Sequence, residues 1–314
     1  MNSLSIVLLN YNSTDETIEC IESLEKTNSK RVACSVIVVD NHSTEDHVKK
    51  LERFLEIHTK KSQFSFEFIR NSSNRGYTGG NNTGIKKALD KGSDYVLILN
   101  NDTTVSPDFI NPLVAVLESD KNAGIVVPKI YFYPGQEYHA DRYTKKDHGN
   151  VIWYAGGKLD WSNVLGSHRG VDEVDEDKYT KTEETDYATG ACIMLRASTL
   201  RKVGMFDEKY FLYYEDSDLS MRIKKAGLKI LFVPQSTIWH KNAGSTGGSG
   251  SKLQDYYLTR NRLLFGFRYA PIRAKVALLR EAARHYLHGR EWQKKGVQDF
   301  FFQRFGKGTY PVSE

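Results

Sequence analysis

No apolar run in this 314-residue chain approaches the roughly 18 residues needed to cross a bilayer, so any membrane contact is expected to be peripheral. The start, Met1-Asn2-Ser3-Leu4, leads into a short β-prone run and not into a secretory signal. Cysteine is scarce: Cys20, Cys34 and Cys192 are odd in number and none pair at metal-ligand spacing. That excludes a disulfide framework and fits a reducing, cytosolic setting. Charge of one sign is nearly lacking in excess. A net +5 is too mild to argue for nucleic acid. What the chain has is ordinary globular composition, 39% hydrophobic and 26% charged, with 18 tyrosines. This supports a sizeable core in one large domain plus an appendage.

The first 130 residues alternate strand and helix. Ser5–Leu9, Ser35–Val39, Phe64–Ile69, Tyr95–Leu99 and Gly124–Val127 are short apolar runs. Between them Thr14–Leu24, Asp46–Ile57, Asn81–Leu89 and a segment from Pro107 to Leu117 carry apolar residues at helical spacing, with Ser13 a candidate N-cap. Alternation of this kind implies right-handed crossovers and a mostly parallel sheet with both faces covered. After Pro128 the pattern loosens. Tyr131–His148 has no clear period, Trp153–Gly170 suggests short strands with glycine turns, and Asp172–Asp186 reads as a mobile acidic surface loop. Ala191–Leu195 and Lys229–Val233 are strands, Ala197–Val203 and Ser217–Lys225 helices. Gly244–Ser251 reads as a flexible linker, followed by helices at Leu253–Phe267 and Pro271–His288.

Chemistry concentrates where strands end, because open α/β sheets bind ligands at the carboxyl edge. The fourth strand stops at Leu99-Asn100-Asn101-Asp102, an oxygen-rich cluster of the kind a hard cation shares with phosphates. The first strand ends in Asn10-Tyr11-Asn12 and the second in Asp40-Asn41-His42-Ser43. Tyr11 can stack on a base, and Asp40 can accept from a base N–H or a ribose hydroxyl; alternatively Asp40-Asn41 caps the next helix. Arg70 to Gly84 is a glycine-rich entry to a helix that suits phosphate or ribose, or else a tight helix–strand turn. It is neither Gly-x-Gly-x-x-Gly nor a Walker loop. Tyr210 to Leu219 delivers Glu215, Asp216 and Asp218 behind an aromatic wall, a platform for a general base if apolar neighbours raise a carboxyl pKa. The bland alternative is an acidic helix N-terminus. His240 ends the last strand, as a ligand or as a structural histidine.

In this order the residues strongly resemble family 2 glycosyltransferases of the GT-A fold, and within them the rhamnosyltransferases of bacterial surface polysaccharides. The resemblance covers about residues 4–265. It rests on Ser5 to Asn12, Val39 to Ser43, Asn74 to Gly84, Leu99 to Asp102, Thr189-Gly190-Ala191-Cys192, Glu215 to Asp218, His240 and Tyr256 to Asn261. It implies a GT-A (Rossmann-like) α/β fold: a mostly parallel sheet flanked by helices over residues 1–250, divided at 128 into a nucleotide-binding and an acceptor half. A C-terminal helical extension, 251–314, follows. It implies an inverting transfer with Asp216 as base, Glu215 or Asp218 as alternatives, and Mg²⁺ or Mn²⁺ on Asp102 and His240. Asn10, Tyr11, Asp40, Asn71, Arg75, Gly76, Gly80, Asn101 and Arg260 would hold the donor, and Thr189 and Gly190 would face sugar and acceptor. The metal motif departs from the family in having Asn100 where an acid is expected, which leaves Asp102 as its one carboxylate.

The expected donor is a nucleoside-diphosphate sugar, with dTDP-rhamnose the first guess. The acceptor would be a glycan or lipid-linked glycan, at the inner face of the cytoplasmic membrane. A non-catalytic nucleotide-sugar binder is the alternative of a different class. A sugar nucleotidyltransferase would need a basic glycine-rich loop after the first strand, which Leu9 to Asn12 lacks. The basic, apolar stretch Leu263–Arg290 could touch an anionic membrane, pack on the catalytic domain or pair two chains as a homodimer.

Overall fold

The apolar runs become the middle of one mixed sheet. A computed structural model describes residues 1–60, 62–241 and 250–311. Its first half alternates as expected: β1 (Asn2–Asn10), α1 (Thr14–Glu25), β2 (Val32–Asp40), α2 (Glu45–His58), β3 (Ser65–Arg70), α3 (Gly76–Asp90) and β4 (Tyr95–Asn100). β1 pairs in parallel with β2 and β4, and β2 with β3. Next come β5 (Thr103–Val105), α4 (Ile110–Ser119), β6 (Ala123–Phe132), β7 (Ile152–Tyr154), the hairpin β8 (Gly157–Asp160) and β9 (Leu165–His168), β10 (Glu183–Glu184) and β11 (Cys192–Arg196). The chain continues through α5 (Ala197–Val203), α6 (Glu215–Lys225), β12 (Lys229–His240), α7 (Lys252–Tyr269), α8 (Ile272–His288) and α9 (Glu291–Phe301). Residues 244–249 of the expected linker lie outside the described residues.

The sheet order is β10-β12-β6-β11-β4-β1-β2-β3. β11 enters antiparallel between β4 and β6, so the parallel series stops at β4. An unbroken apolar run does not reveal strand direction, and Cys192–Leu195 returns after a long excursion that can approach from either end. β12 is longer than Lys229–Val233. Its pairing with β6 shifts register between Val233 and Thr237, which lets Pro234 sit in an irregularity and the strand resume. The resumed part pairs with β5, placing His240 opposite Thr103.

α3 begins at Gly76, five residues before the expected start, so the glycine-rich segment is helix and not loop. A Cβ at Gly80 would run into Leu9, and one at Gly84 into Val7. The spacing of these glycines brings the helix axis close onto β1. The acidic stretch is not a mobile loop but is tied down along its length: the buried Asp175 carboxylate accepts from Lys129 Nζ at 2.6 Å and Tyr131 OH at 2.5 Å, Val174 bridges to Val151, and Glu183–Glu184 pair with β12. The C-terminal helices do not hang free. Leu263, Phe265, Leu278 and Val297 share a core with Val164 and Tyr210, and Tyr256 and Tyr257 pack on Phe211.

Candidate active site

The sheet's carboxyl edge is organised by in-register strand ends, Asn10 opposite Asp40 and Leu9 opposite Asn100. Asp40 is fully enclosed. It accepts from Asn10 Nδ2 at 2.9 Å and Ser43 N at 3.0 Å, with Arg70 Nε at 3.8 Å. Asp40 and Asn10 thereby shape the turn before α2, whose N-cap Thr44 makes no side-chain capping bond, and Tyr11, next in the chain, is half-buried. Asn41 does the same for the next segment. Its Oδ1 accepts from Asn71 Nδ2 (3.0 Å) and Arg75 N (3.1 Å), and its Nδ2 donates to Gly76 O (3.1 Å). Arg75 reaches outward to Glu208 at 3.1 Å, a partner that no sequence pattern pointed to. A side chain at Gly80 would meet Leu9, so this glycine serves the packing of α3 on β1.

The cation candidates meet through strand register. β12 against β5 sets His240 beside Asp102, with Nε2 3.2 Å from Oδ1, and Lys241 N donates to Asp102 O at 2.9 Å. His240 is 6% exposed, lies against the Trp153 ring, and makes no hydrogen bond from either ring nitrogen. A buried imidazole edge turned to a carboxylate fits a divalent ion held by both. Among the described residues no group of three or more His, Cys, Asp or Glu is arranged to hold a metal. Asp102 and His240 are therefore the two side chains here that would hold such an ion. Asn101 is turned to α1 instead, donating to Ser13 Oγ at 2.7 Å and Thr17 Oγ1 at 2.9 Å. Ser13 thus receives this amide and makes no side-chain cap to its own helix.

The acidic platform reaches the same edge by a short chain of hydrogen bonds. β11 runs antiparallel to β4, and Asn100 N donates to Ala191 O at 2.9 Å. The preceding Gly190 N donates to Asp216 Oδ2 at 3.0 Å, and its carbonyl accepts from Tyr77 OH at 2.6 Å. Buried Thr189 opens this segment, its hydroxyl accepting from Ala191 N. The Tyr77 phenol is held well above its usual range by burial, then by the charges of Glu215 and Asp216, with Asp102 contributing as well. Tyr77 therefore stands within electrostatic reach of both carboxylate sets. Burial also raises the Asp216 carboxyl, against hydrogen bonds from Gly190 and Ser217 that pull it down. Glu215 is buried, its Oε2 makes no hydrogen bond, and burial followed by the Asp216 charge pushes it well above the carboxylate range. Asp218 is corrected as an alternative base. It is fully buried, and Arg222, Arg268, Tyr210 and Tyr269 all donate to it, so it is a packing anchor.

What aims Asp216 is a strained turn. Phe211, Tyr213 and Tyr214 hold φ of +64°, +69° and +71°, a conformation that costs L-residues energy and persists only when over-determined. α7 determines it. Asn261 Nδ2 donates to the carbonyls of Tyr210, Leu212 and Tyr213 at 2.8, 2.7 and 2.9 Å. Arg260 is fully buried and sends its guanidinium to Asn261 Oδ1, Tyr256 OH and the carbonyls of Lys209, Tyr210, Arg304 and Gly306. Its five N–H groups are thereby spent inside the protein. Arg260 is corrected from a donor contact to a clamp. The neighbouring Asn261, which sequence reasoning did not single out, is the more direct support. Its signal was adjacency to Arg260, but only the fold shows which carbonyls it meets.

Known proteins can now be set beside this geometry. The profile of glycosyl transferase family 2 matches residues 5–204, and that of glycosyl transferase family group 2 matches residues 175–293. The chain belongs to glycosyl transferase family 2. Such an enzyme transfers a glycosyl group, and this chain is a glycosyltransferase. It is 26% identical over 265 residues to the low-salt glycan biosynthesis hexosyltransferase Agl10 of Haloferax volcanii, covering 84% of this chain and 75% of that protein. It is 26% identical over 257 residues to the N-acetylglucosaminyl-diphospho-decaprenol L-rhamnosyltransferase of Mycobacterium tuberculosis, covering 78% of each. In fold this glycosyltransferase is similar to GalNAc-T7 solved with UDP, GalNAc and Mn2+, with a TM-score of 0.63 and 18% identity, over 99% of this chain and 58% of that one. It is also similar to the mannosyltransferase PcManGT of Pyrobaculum calidifontis with GDP-Man and Mn2+, with a TM-score of 0.57 and 15% identity, over 98% and 76%. The GT-A fold is the shared architecture.

Proposed function

We propose an inverting transfer of a sugar from a nucleoside-diphosphate sugar to a hydroxyl of a glycan or lipid-linked glycan, in the synthesis of a bacterial cell-surface polysaccharide. dTDP-rhamnose is the first donor to test, a choice supported by the L-rhamnosyltransferase relative. In the step, the acceptor oxygen bonds to the anomeric carbon as the bond from that carbon to the diphosphate breaks. Asp216 takes the hydroxyl proton, and the diphosphate leaves with the electron pair. Asp102 and His240 would hold Mg²⁺ or Mn²⁺, which supplies charge neutralisation for the leaving diphosphate. Tyr11, Asn71, Arg75 and Gly76 line the nucleoside side, with Asn10 and Asp40 shaping the turn beneath them. Gly190 N orients Asp216 toward the sugar face.

The observation that carries this reading is the Gly190 bridge. One hydrogen bond ties Asp216 to the strand segment paired with the end of β4, two residues from Asp102. Positioning and leaving-group stabilisation supply most of the rate, and the base adds roughly 10²–10⁴-fold. The test is Asp216→Asn with donor and acceptor. Donor binding should persist while transfer falls by about that factor; near-normal turnover removes Asp216 from the role. A pure nucleotide-sugar binder would give binding with no glycosylated product, and a nucleotidyltransferase would release pyrophosphate. The acceptor class sets the working place at the inner face of the cytoplasmic membrane. Among the described residues no helix is long and apolar enough to cross a membrane. Peripheral contact and a homodimer through the C-terminal helices are then the two partners open to the extension.

A further inference from the structure

α8 has two apolar faces. Ala274, Leu278 and Ala282 are buried against the protein. On another face Ile272, Val276, Leu279, Ala283, Tyr286 and Leu287 recur at i, i+4, i+7, i+11, i+14 and i+15, and all are exposed. Ile272 is 78% and Leu287 63% exposed, values that mark a continuous stripe left uncovered by the described residues. Exposed Arg273, Arg280 and Arg284 follow one flank at i, i+7 and i+11, and Lys275 stands on the other. The one acidic residue of the helix, Glu281, is turned inward to Arg262 at 2.6 Å and His285 at 3.3 Å.

We propose that this face of α8 seats the enzyme on an anionic lipid surface. An amphipathic helix with apolar residues between basic flanks lies in the headgroup plane, with its cations at the phosphates. The charges argue against a second copy. Antiparallel pairing of two such stripes would bring the arginine flank against itself, and parallel pairing would bring it against Lys275; either opposes cation to cation. Position agrees. A cavity of about 490 Å³ lies on the inner side of α8, bounded by Leu278, Glu281, Ala282 and His285 and by Tyr214, two residues before Asp216. The lipid-facing helix thus shares a cavity with the turn that leads into Asp216. The purpose of this docking, delivery of a lipid-linked acceptor, rests on the transfer reading; the docking itself does not.

The test is flotation of the full chain with vesicles of phosphatidylcholine alone and of phosphatidylcholine with phosphatidylglycerol, at low and high salt. Transfer to a water-soluble acceptor is measured in parallel. The protein should bind the phosphatidylglycerol vesicles and be released by salt. Arg273→Gln, Arg280→Gln and Arg284→Gln together should weaken binding about 10²-fold. Ile272→Ser, Leu279→Ser and Leu287→Ser together should weaken it at least about tenfold. Both sets should keep the wild-type rate on the soluble acceptor. No binding, equal binding to both vesicles, or variants that float like wild type would overturn the proposal. So would a wild-type dimer that the stripe variant turns into monomer. Vesicle binding without any transfer would sink the catalytic reading alone.

Discussion

Removing the Asn261 side chain should release the turn that aims Asp216 while leaving the sheet intact. The amide has two N–H groups shared among three carbonyls, that of buried Tyr210 and those of half-buried Leu212 and Tyr213. In Asn261→Ala at least two carbonyls lose their donor at about 1–3 kcal/mol each, or about 2–6 kcal/mol. The strain that this holds in place is of the same size: three left-handed L-residues cost about 1–2 kcal/mol each. With support and strain matched, loss of the support lets Phe211–Tyr214 relax, and Glu215 and Asp216 follow directly. A shift of about 1 Å at a reacting group costs on the order of 10²-fold. The expected result is a fall in kcat of about 10–10²-fold. Donor KM should change less than kcat, because Tyr11 and Asn71 lie on other segments and only the Gly76–Phe211 contact links the turn to the donor side. Steady-state kinetics with saturating acceptor, alongside a melting curve, separates the two effects. Asn261→Asp should do at least as badly, since it faces carbonyls with a carboxylate. A kcat within twofold of wild type for Asn261→Ala, with the protein folded, would refute the clamp.

Asp102→Ala and His240→Ala should each remove the Mn²⁺-dependent increment in nucleoside-diphosphate affinity measured by calorimetry; an unchanged increment would exclude them as ligands. Folding raises the Glu215 pKa, so its contribution to stability is complete below the ordinary glutamate range and is lost as pH rises toward the native value. Glu215→Gln lacks that loss, and its Tm advantage over wild type should grow from pH 5 to pH 8; a pH-independent difference would contradict the assignment. Gly76 has φ +68°, and a Cβ there would stand 2.6 Å from the Phe211 ring and carbonyl. Gly76→Ala should therefore cost about 2–4 kcal/mol in denaturant unfolding and weaken nucleotide binding, and an unmoved midpoint would count against that packing.

The sequence by itself determined the α/β alternation of residues 1–130, because buried parallel strands must read as short apolar runs and amphipathic helices as 3.6-residue stripes. It also determined which segments carry polar chemistry, since amides and acids that interrupt an apolar run mark its end. It could not tell which of those groups face the ligand and which face each other. Asp218 and Arg260 look like site residues in one dimension, yet the fold spends them on Arg222 and Arg268, and on main-chain carbonyls. Gly80 looked like a phosphate loop, but the nearness of Leu9 makes it a packing glycine. Strand direction was equally hidden: the antiparallel entry of β11, which carries Gly190 to Asp216, depends on where a chain returns after some sixty residues, a global property with no local period. Only the tertiary structure decided that His240 meets Asp102 and that α7 holds the turn before Asp216. Both contacts join residues far apart in sequence, and their energy exists only once the intervening chain has packed.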